Sequence, residues 1–568
     1  MRWAVHLIST SLLTARAAAL WPKPQRWERG SGFVRLAEGF RITSSLNQEP
    51  PDDLVNAIER TLKRIEHDWH QPLQVGRAEP DRLSVEAAPV LGTLQISLVD
   101  EAEVHSIAFE TTRPYAQQNE AYKLTVSQDG VAELRANTTL GLLRGLETFS
   151  QLVFTLPESA EGRRDHIFYL RKVPMSIEDW PALPHRGFML DTARNFYPVD
   201  AIDRNLQAMS YAKLNVFHWH VVDSQAWPLE SATFPDLARY GAYSQDETYS
   251  ASDVRHVVRY AASLGISVML ELDMPGHTAS IASSFSDYIA CHNQRPWSAY
   301  AAEPPAGQIK LGHSDAREFA KRLMHEAALM SSSPLLSSGG DEVNQRCYLE
   351  DPDTSAALEA RNVSLDDLLG EFVEGVHSAI RKQGKTPVVW EEMVLNHELG
   401  LDADVVVMVW ISSANVRAVA DKGHTIVHAA SDYFYLDCGA GAWLGNTPNG
   451  RSWCDPFKSW QKAYSFDPYH NLTKAQHRLV LGGETLLWSE QAGPENLDSI
   501  AWPRAAAAAE VFWTGGSLAE GRRRLQEALP RLHDWRYRAV ARGIQAIPLQ
   551  PHWCALRPGA CDADEDPL

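Results

Sequence analysis

The 568-residue chain is 44% apolar and 22% charged, a globular composition with length for roughly two to four domains. Its formal net charge of −19 speaks against nucleic acid or an anionic membrane surface as a partner.

The first nineteen residues read as a secretory signal peptide. Arg2 supplies positive charge, an apolar stretch runs from Val5 to Leu13, and Ala17-Ala18-Ala19 offers small residues for cleavage. The stretch is too short to span a bilayer, and no later run is long enough, so the expected product is soluble and secreted. Acceptor sequons begin at Asn137, Asn362 and Asn471, which fits a glycoprotein. An even count of six cysteines in an exported chain points to disulfides, although sequence alone permits about 15 pairings. Proximity favours Cys438–Cys454 and Cys554–Cys561, leaving Cys291–Cys347. No cysteine or histidine spacing matches a zinc site, so no metal and no cofactor are expected.

Residues 20–175 read as a small α+β domain without catalytic residues. Trp21-Pro22-Lys23-Pro24 is expected to be extended on the surface. Leu94–Val99 and Ala121–Val126 alternate as half-buried strands. Gln128-Asp129-Gly130 is a turn into a returning strand, Val131–Ala136. Thr139–Val153 is apolar at helical spacing through Leu142, Leu146, Phe149 and Leu152. Pro174, Pro181 and Pro184 mark a boundary.

From 176 to 535 short apolar runs alternate with amphipathic helices. The strand candidates are Arg186–Asp191, Asn215–His220, Ile266–Leu272, Leu335–Ser338, Pro387–Trp390, Val405–Trp410, Thr425–Ala429 and Val480–Leu487. Ser252 is expected to cap the helix between the second and third. Eight such units predict a (β/α)8 TIM barrel, whose sites gather at the C-terminal strand ends. Residues 536–568 form a C-terminal extension.

The unusual residues fall at those strand ends. The fourth candidate runs into Gly339-Gly340-Asp341-Glu342. Paired glycines let the chain turn sharply, and adjacent carboxylates can serve one ligand only beyond the strand, since neighbours within it face opposite ways. Around the pair come Asp191 and Arg194, His218-Trp219-His220 with Asp223, Glu271, Asp273 and His277, Trp390-Glu391-Glu392, Trp410, Tyr435 with Asp437, and Trp488 with Glu490. Aromatic faces beside carboxylates suit a sugar ring, apolar on its C–H face and rimmed by hydroxyls. The His218/His220 pair could face one side of a strand as metal ligands, but no third ligand accompanies it, and histidines hydrogen-bonded to carboxylates are the better reading.

The motifs Arg186-Gly-Phe-Met-Leu-Asp191-Thr-Ala-Arg194, His218-Trp-His220-Val-Val-Asp223, Asp273-Met-Pro-Gly-His277, Gly339-Gly-Asp341-Glu342, Tyr435-Leu-Asp437 and Gly482-Gly-Glu-Thr-Leu-Leu-Trp488-Ser-Glu490 resemble those of the glycoside hydrolase family 20 β-N-acetylhexosaminidases. The insert around Cys438–Cys454 is most similar to the secreted fungal members. The resemblance implies an exo-acting, retaining, substrate-assisted hydrolase of chitooligosaccharides and glycoconjugates, releasing terminal N-acetylglucosamine or N-acetylgalactosamine through an oxazolinium intermediate. Glu342 would be the acid/base, Asp341 would orient the acetamido group and Tyr435 would donate to its oxygen. Trp390, Trp410 and Trp488 would wall the pocket. Arg186, Asp437 and Glu490 would bind hydroxyls, and Asp223, His277 and His220 would stand behind the acid. A homodimer and a propeptide within the first domain are also implied. Ser337 departs from the histidine many members carry there, which puts the hydrogen bonding behind the pair in question.

Overall fold

The structure, a computed structural model, describes residues 20–99, 103–157, 166–515 and 525–563. The leader assigned to residues 1–19 lies outside them. The first module is a six-stranded mixed sheet of β1 (Arg26–Ser44), β2 (Val90–Leu98), β3 (Tyr122–Val126), β4 (Ala132–Ala136), β5 (Val153–Leu156) and β6 (Ile167–Asp179). Their order is β1-β2-β4-β3-β6-β5. The alternation is obeyed: Tyr122, Leu124 and Val126 on β3 and Ala132, Leu134 and Ala136 on β4 face inward. Gly130, at φ 83°, makes the turn between them. The predicted helix is Thr139–Leu152, capped by Thr138 Oγ1 accepting from Gly141 N at 3.1 Å. It is buried on nearly every side, because its polar positions reach beyond the sheet core. Arg144 pairs with Glu120 at 2.7 Å and donates to the Gly265 carbonyl.

The second module is a closed parallel barrel of β7 (His185–Asp191), β8 (Val216–Val222), β9 (Ser267–Leu272), β12 (Leu335–Ser337), β13 (Thr386–Trp390), β14 (Val406–Val409), β15 (Thr425–His428) and β16 (Val480–Leu487). The two-residue strands β10 (Ile289–Ala290) and β11 (Gln308–Ile309) pair in the long loop after β9. All eight predicted barrel strands are present, with ends shifted by a residue or two.

Three details differ from expectation. Trp21 is fully buried: its Nε1 donates to the Ala506 carbonyl at 2.8 Å and the Arg531 guanidinium lies over its ring. A large indole with a satisfied donor gains more inside than on the surface. The helix Ala251–Ser263 is capped by Ser250 rather than Ser252, since only Ser250 has an acidic residue, Asp253, three places on to complete a capping box. The helix Leu525–Ala541 runs through the boundary expected at 535. The disulfides are Cys291–Cys347, Cys438–Cys454 and Cys554–Cys561, as proximity indicated. No helix among the described residues is long and apolar enough to cross a membrane. Asn137, Asn362 and Asn471 are all exposed.

Candidate active site

The loop after β12 carries the acidic pair. Gly339 and Gly340 take φ values of 63° and 100°. A Cβ on Gly339 would lie 1.9 Å from Asp273 Oδ1, and one on Gly340 2.7 Å from Met393 Cγ. The glycines are therefore required by both backbone and space. Gly340 N donates to Asp273 Oδ1 at 2.7 Å, tying this loop to the end of β9. Glu342 itself adopts φ 54°, a left-handed conformation rare outside glycine.

The two carboxylates meet different surroundings. Asp341 is buried, and its Oδ1 has no hydrogen-bond partner among the described residues. Burial, reinforced by the neighbouring Asp273, pushes its carboxyl well above the usual range, while His277 opposes the shift. The Glu342 side chain keeps 31% of its surface open to the cavity mouth. His277 stands behind both, its Nε2 3.3 Å from Glu342 Oε2 and 3.8 Å from Asp341 Oδ2. Its Nδ1 meets Asp223 Oδ1 at 3.1 Å. Burial disfavours charge on this ring, but Asp223, Asp341 and Asp273 outweigh it and hold its pKa well above the ordinary value.

Aromatic rings enclose the space in front of the pair. Trp390, at the end of β13, is fully buried. Trp410 meets it edge-on at 6.5 Å and Trp488 lies 6.2 Å away. Tyr435 stacks on Trp410 at 6.2 Å with an interplanar angle of 11°. Trp410 is fixed by its Nε1, which donates to Glu392 Oε2 at 2.7 Å. The carboxyls of the mouth are shifted upward chiefly by burial: Glu392 and Asp437 to about 7, and Glu490 to about 8.

Arg186 is not in this site. It lies near the start of β7, at the opposite end of the barrel, where its guanidinium contacts both Glu120 oxygens at 2.7 Å and the Lys213 carbonyl at 3.0 Å. Five residues of strand separate it from the mouth, about 17 Å. The arginine at the mouth is Arg194, 3.0 Å from Asp223, paired with Asp191 and Glu303, and 5.0 Å over the Trp488 ring. The rule placing sites at C-terminal strand ends already favoured Arg194, which follows its strand, over Arg186, which opens it.

Two residues at the mouth were missed. Trp453, 64% exposed and next to Cys454 in the disulfide-closed insert, stands edge-on to Trp410 at 5.4 Å and Tyr435 at 5.8 Å. Its neighbourhood to a cysteine was the available signal. Glu303 comes from the long loop after β9, where nothing in the sequence marks it. His218 and His220 do lie against carboxylates: His218 Nδ1 against Glu484 Oε1 at 2.8 Å, and His220 between Glu271 and Asp223. Ser337 donates to Glu271, which satisfies the position questioned for lack of a histidine.

A closed parallel barrel with an acid pair, a tryptophan-lined recess and a carboxyl rim at its C-terminal end defines a carbohydrate-active enzyme. Residues 183–516 match the profile of "Glycosyl hydrolase family 20, catalytic domain", and residues 20–152 that of "beta-acetyl hexosaminidase like". The chain belongs to glycosyl hydrolase family 20, and it is an enzyme of the β-hexosaminidase class. It is 33% identical to a beta-hexosaminidase of Arthroderma benhamiae, over 97% of this chain and 98% of that one. It is 32% identical to the chitooligosaccharidolytic beta-N-acetylglucosaminidase of Ostrinia furnacalis, over 98% and 92%. Its fold is shared with the exo-β-N-acetylglucosaminidase of Vibrio harveyi, with a TM-score of 0.71 at 22% identity over 93% of this chain and 78% of that one.

Proposed function

We propose that the enzyme removes terminal non-reducing N-acetylglucosamine or N-acetylgalactosamine from chitooligosaccharides and glycoconjugates, with retention of anomeric configuration. The carrying observation is the contrast within the pair: Asp341 buried against Asp273 and His277, Glu342 open to the mouth. A retaining enzyme with its own nucleophile needs a second carboxylate across the bond, whereas adjacent carboxylates suit a nucleophile brought by the substrate.

In the first step the acetamido oxygen attacks C1 and the glycosidic C–O bond breaks. Glu342 gives its proton to the departing oxygen. Asp341 holds the acetamido N–H and offsets the positive charge of the oxazolinium, and the Tyr435 hydroxyl donates to the acetamido oxygen. Water then adds at C1, Glu342 takes its proton, and the ring reopens. Holding the nucleophile in place supplies the proximity advantage. Trp390, Trp410 and Trp488 pack against the sugar, while Arg194, Asp437 and Glu490 meet its hydroxyls. Enclosure by these rings supports exo action, and the chitooligosaccharidolytic relative supports the substrate class. Three disulfides and three exposed sequons support a secreted glycoprotein. Homodimerisation rests on the family resemblance.

Hydrolysis of an aryl N-acetyl-β-glucosaminide, with the first-formed anomer read by proton NMR, tests this reading. Release of the β-anomer is expected. The α-anomer, or cleavage of the plain β-glucoside as readily, overturns it.

A further inference from the structure

The barrel interior is charged where such barrels are usually packed with branched apolar side chains. Imidazoles and carboxylates alternate from its floor to its mouth. Tyr115, from the N-terminal module, meets His185 Nδ1 at 3.0 Å through its hydroxyl. His185 Nε2 meets Glu484 Oε2 at 3.2 Å, and Glu484 Oε1 meets His218 Nδ1 at 2.8 Å. His218 Nε2 is 3.2 Å from Glu271 Oε2, within ion-pair range but off the direction of a hydrogen bond. Glu271 Oε1 meets His220 Nδ1 at 2.5 Å, and His220 Nε2 meets Asp223 Oδ2 at 2.8 Å. Asp223 then holds His277, which faces Glu342. The side chains from His185 to Asp223 have no solvent exposure.

The spacing explains the row. His218 and His220 are two residues apart on β8, so both point inward, one layer above the other. Glu484 on β16 and Glu271 on β9 reach them from either side. Against the cost of burial, the flanking carboxylates hold His218 up to about 9 and His220 up to about 10. Glu484 is lowered to about 2 by His218 and His185, again against burial. Buried ion pairs of this kind add little stability over an apolar core, so their presence calls for another reason.

We propose that His185, Glu484, His218 and Glu271 are positioning residues of the acid/base apparatus, fixing through the row the orientation and charge of His277 and so the field at Glu342. By way of Tyr115 the N-terminal module reaches the same pair. This rests on the reaction proposed above. The other groups facing the row are Ser337 and Asp273 beside Glu271, the Trp390 ring 6.0 Å from His218, Arg186 and Glu120 beside Tyr115, and Arg194 against Asp223.

The test compares pH profiles of kcat and kcat/KM on an aryl N-acetyl-β-glucosaminide for the full-length wild type, Glu484→Gln and Tyr115→Phe. For Glu484→Gln, kcat should fall about fivefold or more with KM within about twofold, since no residue of the row touches substrate. A new inflection should enter the profile at about pH 5–8, where His218, left with Glu271 alone of its two carboxylates, would titrate. Tyr115→Phe should change kcat in the same direction by less, and if Glu484→Gln does not fold it decides alone. Folded variants whose kcat, KM and pH profile superimpose on the wild type overturn the proposal. An inactive wild type would instead overturn the reaction itself, and this proposal with it.

Discussion

His277 Nε2 lies 3.3 Å from Glu342 Oε2 while its Nδ1 is held by Asp223 at 3.1 Å. The ring is thus clamped between a buried anion and the open carboxyl of the pair. His277→Asn removes the charge and keeps a polar group. The expected result is a fall in kcat of about 100-fold with KM little changed. The stability consequence has a definite sign. Because the folded ring holds its proton well above the ordinary histidine value, its contribution is full below about pH 6.5 and is lost as pH rises towards the folded value. Thermal unfolding of wild type and variant should therefore converge at alkaline pH; a constant offset would contradict this.

Asp341→Asn separates catalysis from folding. The reaction should lose about 100-fold or more in kcat, because the acetamido group is no longer oriented by an anion. Stability should move the other way. A carboxyl whose folded pKa is raised favours folding at low pH and loses that contribution as pH rises through the folded value. Asparagine escapes this, so the variant should melt higher than wild type near pH 7. Unchanged kcat or a lower melting temperature would each count against the account.

The two arginines should respond oppositely. Arg186→Met leaves Glu120 without its bidentate partner and is expected to cost about 3 kcal/mol of stability, with KM unchanged in whatever protein folds. Arg194→Lys loses the planar fork that meets Asp191, Asp223 and Glu303, and should raise KM about tenfold with a smaller change in melting temperature. Denaturation and steady-state kinetics on the pair decide between the assignments.

Trp453 covers the outer edges of Trp410 and Tyr435 from an exposed position. Trp453→Ala should therefore raise KM for chitotriose about fivefold with melting temperature unchanged. Equal KM values for wild type and variant would leave the ring without a part in binding.

Much of this was legible in the sequence. Short apolar runs in a strand–helix rhythm located all eight barrel strands, because parallel strands buried on both faces are continuously apolar and bounded by polar turns. The Gly339-Gly340 pair was readable because its chemistry is local: positive φ and absence of a Cβ. Motif likeness points to Arg186, but strand direction puts it at the opposite end of the barrel, against Glu120 and Lys213. Trp21 was misread because burial of a terminal segment depends on what the rest of the chain offers, here the Ala506 carbonyl and Arg531. Trp453 had only its place beside Cys454 to mark it, and Glu303 had nothing, because loops bring distant residues to the mouth without a period to follow.

Glu120 enters the barrel floor from the neighbouring module and divides its charge between Arg144 and Arg186. The catalytic barrel is thus no free-standing cassette. Grafted or expressed alone, it would carry an uncompensated guanidinium at the root of its first strand. The two modules are expected to have been inherited together, and engineering that recombines them would need to carry this ion pair across the junction.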